Sequence, residues 1–225
     1  MEKINLIFDL DIHVRHEDIK SLLGYGRSDV PERVQTLIGD IEDVAPKLLE
    51  PACAYRIMKR GEFKQSRFLR HVDELVLCLV TIGGTLEEEV RIHKEKGLLG
   101  HALIMDTYGS AAAEACAEAA EKIIASEVAE MGLRCSRRFS PGYGAWAVDE
   151  QRWIMDAIDG ASLGVTLTDG CMMRPRKSIT FVVTIGKMPI ELRTANICES
   201  CGAPNCPSRD KPEKCFGRIV EHDRD

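Results

Sequence analysis

Apolar residues recur at helical spacing in several stretches of the chain. From Glu32 to about Leu49 they fall three or four residues apart, directly after Pro31. Proline suits the first turn of a helix, where its missing N–H has no partner to lose. The pattern also predicts helices over residues 15–24, 86–96 and 148–158.

The longest helix predicted from local sequence runs from Ser110 to Met131. Its interior is rich in alanine, the residue with the highest helix propensity. Ser110 has the side chain of an N-cap, and Gly132 is placed to end the helix. Residues 98–106 before it are ambiguous by pattern alone.

Continuous apolar runs with β-branched residues predict strands over residues 76–82, 163–168, 179–185 and 190–194. The last two are separated by Gly186-Lys187-Met188-Pro189, which reads as a hairpin turn. Turns separate these strands more often than long crossover helices do, so the fold class predicted is α+β, with a mainly antiparallel sheet. No G-x-G-x-x-G segment or P-loop is present in the sequence.

Composition narrows the classes of partner. The 225 residues carry a formal net charge of −6. An acidic surface disfavours nucleic acid or an anionic membrane as partner. No apolar run approaches the ~18 residues of a membrane span, and the N-terminal residues do not resemble a signal peptide. A cytoplasmic location is therefore expected.

Candidate binding chemistry is concentrated at residues 138–146. Ser140-Pro141-Gly142 predicts a type II turn, because proline presets φ and glycine accepts a positive φ. Arg138 offers a planar guanidinium that suits a carboxylate. Tyr143 and Trp146 add aromatic faces, although Trp146 is better placed to pack the turn than to touch a ligand. The alternative is a surface turn with an aromatic anchor.

The order of segments along the chain resembles the activation domain of cobalamin-dependent methionine synthase, and more closely its free-standing relatives. The arginine turn, with its R-x-x-P-G-Y pattern, is followed by Leu163–Asp169 and then by a Met-rich P-x-x-S segment ending at Ser178. Upstream, Gly109–Ala115 is similar to the family's small-residue helix. The resemblance covers residues 70–195 and implies a twisted, mainly antiparallel sheet with flanking helices.

In that family the activation domain binds S-adenosylmethionine. The resemblance implies that Arg138 binds the methionyl carboxylate and that backbone groups around Ser140 and Tyr143 hold the adenosine. It gives Glu114 the ammonium or ribose end, with an exposed helix glutamate as the alternative.

Two further positions are implied as binding residues by the same resemblance. Thr168 and Asp169 match the family's T-E pair with a shortened acid; the alternative for them is an ordinary turn at a strand end. The strand after Ser178 has Phe181 as its single aromatic residue, which leaves a ring contact to the ligand from that strand in question.

The function implied is reductive methylation of a cob(II)alamin protein in trans. The sequence has no folate, homocysteine or cobalamin-binding segment, so cobalamin is expected only through a partner, either a corrinoid-binding protein or a truncated methionine synthase. An electron donor is a further expected partner. The alternatives are a non-catalytic adaptor or electron-relay module that has lost the methyl donor, and a structural zinc protein with unrelated partners.

Four of the nine cysteines, Cys198, Cys201, Cys206 and Cys215, lie together near the C-terminus. Four thiolates in a short segment suit tetrahedral zinc or an iron–sulfur cluster, and a reduced, cysteine-rich tail is the alternative. The other five are predicted to be small buried side chains. The expected division is an N-terminal helical segment (1–70), a binding core (71–195) and a metal-binding tail (196–225).

Overall fold

The structure, a computed structural model, describes residues 3–26, 28–143 and 146–190. Its helices are α1 (His16–Leu22), α2 (Glu32–Val44), α3 (Thr85–Glu95), α4 (Leu99–Glu130) and α5 (Gln151–Ile158). Its strands are β1 (Asn5–Phe8), β2 (Ala52–Lys59), β3 (Glu74–Thr81), β4 (Arg134–Cys135), β5 (Thr166–Leu167), β6 (Met173–Arg174) and β7 (Ser178–Gly186).

Five strands form one antiparallel sheet in the order β1-β2-β3-β7-β4. Its central strand β3 pairs with β2 on one side and with β7 on the other, with Cys78 opposite both Tyr55 and Phe181. Strands β5 and β6 form a separate two-stranded hairpin. The predicted α+β class and antiparallel sheet are confirmed.

Successive residues of the central strands alternate between two apolar layers, as the two-residue period of a strand requires. On β3, Val76, Cys78 and Val80 face a layer that includes α1 to α4, which we call the α4 layer. Leu75, Leu77 and Leu79 face the opposite layer, which includes α5 and is called the α5 layer. Burial on both faces explains why β3 reads as a continuous apolar run.

Several predicted elements are confirmed with small changes of boundary. Helices α1, α2, α3 and α5 lie within or next to the predicted stretches, and β3 and β7 occupy the predicted strands at 76–82 and 179–185. The strand predicted over 163–168 is reduced to Thr166–Leu167, because residues 160–163 form a 3-10 turn. Of the last predicted strand, 190–194, residues 191–194 lie outside the described residues.

Four strands, β1, β2, β4 and β6, were not predicted from the sequence. Strands β1 and β2 come from the first 70 residues and join the sheet beside β3. Strand β2 (ACAYRIMK) has few β-branched residues. Pairing on both sides therefore determines its conformation more than its own propensity does. The boundary expected at residue 70 stays a prediction.

The alanine-rich helix begins earlier than predicted. Helix α4 runs unbroken for 32 residues through Tyr108, Gly109 and Ser110. Ser110 is not an N-cap, because its hydroxyl donates a hydrogen bond to the carbonyl of Asp106 one turn back, at 3.2 Å. Gly132, with φ +73°, follows the helix as predicted. Within the described ranges no helix is both long and apolar enough to cross a membrane.

Gly109 lies inside α4 because α3 packs closely against it. A Cβ at this position would lie 2.7 Å from Leu86 Cδ2 and 3.3 Å from Lys177 Cε. Leu86 itself is fully buried. This close approach explains a glycine in the interior of a helix, where its own propensity is unfavourable.

We expect Gly109→Ala to destabilise the fold by about 1–2 kcal/mol, because overpacking outweighs the gain in helix propensity. Gly39→Ala in α2 is the matched control, since a Cβ there meets nothing within 4 Å. It is expected to raise stability by up to about 1 kcal/mol. Urea unfolding of both variants measures the difference, and equal effects would contradict close packing at Gly109.

Candidate functional site

The segment that carries Arg138 is attached to the edge of the sheet along β7. Cys135 pairs with Ile185, and the Ser136 N–H donates to the Thr184 carbonyl at 2.9 Å. Phe139 and Val182 then exchange two backbone hydrogen bonds, both of 2.8 Å. The segment therefore has a fixed register on β7. Phe139 faces the α5 layer, while the Arg138 side chain reaches α4.

Arg138 forms ion pairs with two carboxylates of α4. Its Nη2 lies 2.6 Å from Glu114 Oε2, and its Nη1 lies 2.7 Å from Glu121 Oε2. The two acids are seven residues apart, which places them two turns apart on one face of the helix. The three side chains are between 24% and 30% exposed, so the cluster is half-buried but open to solvent.

Burial raises the pKa of the Glu114 carboxyl from 4.5 to about 7. The positive charge of Arg138 opposes this rise, and the nearby carboxylates of Glu118 and Glu121 add to it. Burial also raises the pKa of Glu121, again against the effect of Arg138. One guanidinium is thus shared between two acids that are both costly to ionise at this position.

Phe181 supports the arginine from below. The Arg138 Cζ lies 5.9 Å from the centroid of the Phe181 ring, within the range of a cation–π contact. Phe181 is fully buried in the α4 layer. The single aromatic residue of β7 therefore packs its ring against the Arg138 guanidinium.

The turn after Arg138 has the predicted geometry. The Tyr143 N–H donates to the Ser140 carbonyl at 3.3 Å, and Gly142 has φ +89°. A Cβ on Gly142 would lie 3.6 Å from Val148 Cγ2, which is an ordinary contact. The positive φ, rather than open space beside the turn, therefore accounts for glycine here.

Trp146 packs the turn, as predicted. It is 1% exposed, and its ring stacks on Phe68 and Phe139 at centroid distances of 5.1 and 5.9 Å. Its Nε1–H donates to Glu150 Oε2 at 2.6 Å. This aromatic stack anchors both ends of the turn to the α5 layer.

Thr168 and Asp169 lie in the β5–β6 hairpin, whose apolar residues Leu167 and Met173 pack against the α5 layer. The Thr168 hydroxyl accepts a 3.0 Å hydrogen bond from the Met172 N–H. Arg152 of α5 donates to the Asp169 carbonyl. In the described part of the chain these contacts stay within the hairpin and α5, and none reaches Arg138 or Glu114.

The structure also contains a cleft that the sequence did not indicate. It has a volume of about 560 Å³ and is lined from the N-terminal segment, α2 and α4, with His13, His16, Glu42 and Tyr108 among its polar residues. His16 Nδ1 lies 3.0 Å from Glu42 Oε1, a partner that is 26 residues away in sequence. None of the predicted binding residues lines this cleft.

The cysteines of the described residues are free thiols that differ in burial. Cys53, Cys78, Cys116 and Cys171 are buried free thiols, as predicted, and Cys135 is half-buried. Cys116 of α4 packs its thiol against the carbonyls of Ala52 and Thr81. Across residues 3–26, 28–143 and 146–190, no group of three or more His, Cys, Asp or Glu side chains is arranged to hold a metal ion.

The predicted metal ligands Cys198, Cys201, Cys206 and Cys215 lie outside the described residues. The metal-binding tail therefore stays a prediction.

Sequence reasoning missed one member of the arginine cluster, Glu121. The signal was present, because Glu114 and Glu121 are separated by two helical turns and share a face. Only the path of residues 134–139 along β7 shows that this face meets Arg138.

The fold has a known counterpart. A crystal structure described as the MetH reactivation domain bound to AdoHcy is similar to this chain with a TM-score of 0.62 and 14% sequence identity. The similarity covers 86% of this chain and 81% of the other. No family model and no curated protein matches the sequence. The methionine synthase activation domain-like fold predicted from the sequence is thereby confirmed.

The pKa of Glu114 predicts a stability difference that depends on pH. Because the folded-state pKa is raised, the stabilising contribution of the neutral form is complete below 4.5 and is lost as the pH rises through about 7. Glu114→Gln avoids the cost of ionisation at high pH. Between pH 5 and pH 8 the free energy of unfolding of the variant should therefore rise relative to the wild type by about 1 kcal/mol, after allowance for solvent screening. This corresponds to a relative rise in unfolding temperature of about 2–4 °C.

Thermal unfolding across this pH range measures the effect. Glu130→Gln on the same helix is the control, because Glu130 is exposed and the change in net charge is the same. A pH-independent difference for Glu114→Gln would contradict the burial argument.

Gly142→Ala should destabilise the protein by about 1–2 kcal/mol, because alanine is strained at φ +89°. The control is Gly170→Ala in the β5–β6 hairpin, where φ is not positive and a Cβ meets nothing within 4 Å. Chemical unfolding compares the two variants. Equal stabilities would show that the turn does not need a left-handed residue.

Proposed function

We propose that this protein binds S-adenosylmethionine and supports the reductive methylation of cob(II)alamin on a separate protein. The single observation that carries the proposal is the Arg138–Glu114 pair beside the Ser140–Tyr143 turn. The similar structure is a reactivation domain bound to AdoHcy, the demethylated form of this ligand, and it provides a second line of support.

The amino-acid end of the ligand suits the ion pair. S-Adenosylmethionine carries an α-carboxylate and an α-ammonium group, the same two charges that Arg138 and Glu114 present to each other across 2.6 Å. When the ligand inserts, its carboxylate takes the guanidinium and its ammonium takes the Glu114 carboxylate. The exchange replaces one ion pair by two and leaves no charge unpaired, which avoids the large cost of a lone buried charge.

The adenosine end is assigned to the turn. Ser140, Pro141, Gly142 and Tyr143 follow Arg138 directly, and the aromatic stack of Trp146 holds the turn in place. Backbone groups and the Tyr143 ring suit a nucleoside, which has both a flat face and polar edges. Thr168 and Asp169 remain proposed contacts by resemblance alone, since their described contacts lie on the side of the α5 layer.

In the proposed reaction, the sulfonium methyl group and one electron from a donor protein convert a corrinoid partner's cob(II)alamin to methylcobalamin, and S-adenosylhomocysteine is released. The residues of this chain supply orientation: the ion pair fixes the amino-acid end, and the turn fixes the nucleoside. When the reactivity belongs to the cofactor, the protein contributes by holding the methyl donor in the correct orientation. The partner is a corrinoid-binding protein or a truncated methionine synthase.

The C-terminal cysteines enter the proposal as a site for an iron–sulfur cluster or zinc. Reactivation needs a one-electron donor, and this requirement favours iron–sulfur. A colourless, zinc-containing protein would exclude a role of the tail in electron transfer and leave the methyl-donor site unaffected.

Calorimetry with S-adenosylmethionine and S-adenosylhomocysteine tests the binding site. We expect both ligands to bind the wild type, and Arg138→Ala to weaken binding by about 100-fold, as for the loss of a charged hydrogen-bonding partner. Arg137→Ala is the matched control, because Arg137 is the neighbouring exposed arginine.

No binding by the wild type would refute the proposal and favour the adaptor alternative, in which the fold is kept without the methyl donor. Equal binding by Arg138→Ala would place the ligand elsewhere on the protein.

A further inference from the structure

Glu121 and Glu114 bind different nitrogen atoms of the Arg138 guanidinium. The Glu121 carboxylate accepts a hydrogen bond from Nη1 at 2.7 Å. The Glu114 carboxylate accepts one from Nη2 at 2.6 Å. Each acid thus holds its own end of the same head group.

Two contacts restrict the orientation of this long side chain, one from Glu121 and one from Phe181. An arginine has many rotamers, and holding it in one of them costs conformational entropy. The Phe181 ring limits the guanidinium from below, and Glu121 takes Nη1. The nitrogen on the Glu114 side is Nη2, which with Nε forms one edge of the guanidinium.

That edge is the one an arginine of this protein already uses to bind a carboxylate. Arg15 binds Asp18 through Nε at 2.6 Å and Nη2 at 2.9 Å. Two parallel donors match the two oxygens of a carboxylate. An Arg138 held by Nη1 is therefore oriented to bind an incoming carboxylate in the same way.

We propose that Glu121 is the positioning residue of the ligand-binding arginine: it fixes Arg138 through Nη1 and presents the Nε–Nη2 edge to the carboxylate of an amino-acid ligand. This inference rests on the proposed function. It assigns different roles to the two acids, since Glu114 exchanges its partner when the ligand enters and Glu121 does not.

The first experiment compares two ligands. S-Adenosylhomocysteine has the amino-acid end, and 5′-methylthioadenosine lacks it. Glu121→Ala should weaken binding of S-adenosylhomocysteine by about 10-fold or more, and Glu121→Gln should restore part of it, because an amide oxygen still accepts hydrogen bonds. Binding of 5′-methylthioadenosine should be unchanged in both variants. Glu130→Ala, a change at an exposed acid of the same helix, is the control.

Two results would overturn the positioning role. Tighter binding of S-adenosylhomocysteine by Glu121→Ala would make Glu121 a competitor of the ligand. An equal loss for both ligands would indicate damage to the fold instead of a misplaced arginine.

A second measurement needs no ligand. The ¹⁵N relaxation of the Arg138 Nε–H group, assigned with Arg138→Lys, reports whether the side chain is ordered. We expect order in the wild type and in Glu114→Gln, and disorder in Glu121→Ala. An Arg138 that stays ordered in Glu121→Ala refutes the inference. Failure of the wild type to bind either ligand refutes the proposed function instead. The relaxation measurement needs no ligand, so failure of the positioning role can be distinguished from failure of the proposed function.

Discussion

The alternation of β3 and β7 between two apolar layers is the constraint on which the rest of the structure depends. Both strands are covered on both faces, so each position belongs to the α4 layer or to the α5 layer. The segment carrying Arg138 adds to the same sheet and inherits the alternation. Arg138 therefore meets the acids of α4, while its neighbour Phe139 enters the aromatic stack on the other face.

The electrostatics of the cluster follow from this placement. One guanidinium stands between two half-buried carboxylates, with an exposed third acid, Glu118, on the same helix. Such a surplus of negative charge is costly to bury without a further cation. A ligand that brings an ammonium group together with its carboxylate leaves the net charge of the cluster unchanged, whereas a simple anion increases the surplus. By charge alone the site therefore disfavours simple anions relative to zwitterions.

Much of the fold could be predicted from the sequence because local signals were strong. The continuous apolar run of β3 and the Pro-Gly turn at 141–142 each have one good structural solution. Strand β2 and the unbroken α4 could not be predicted in the same way. The first depends on partners distant in sequence, and the second depends on the contact between Gly109 and Leu86.

Only some of the predicted binding residues come together in the structure, because contacts between segments distant in sequence decide which residues meet. Arg138 and Glu114 were identified by resemblance, and the structure brings them within 2.6 Å of each other. Thr168 and Asp169 follow only 30 residues later, but their hairpin packs against the opposite layer. Proximity in sequence gives no information about the face of a sheet, since that face changes with every residue along a strand.

Helix α4 has a mechanical consequence for ligand entry. Its 32 residues form one rod, about 48 Å long at 1.5 Å per residue. The spacing between Glu114 and Glu121 is therefore fixed by the helix that carries both. Strand β4, by contrast, is only two residues long and lies at the sheet edge. Any adjustment of the site to ligands of different size must therefore come from this short edge strand and its turn. The Arg138 side of the site can adjust, whereas the α4 side keeps its geometry.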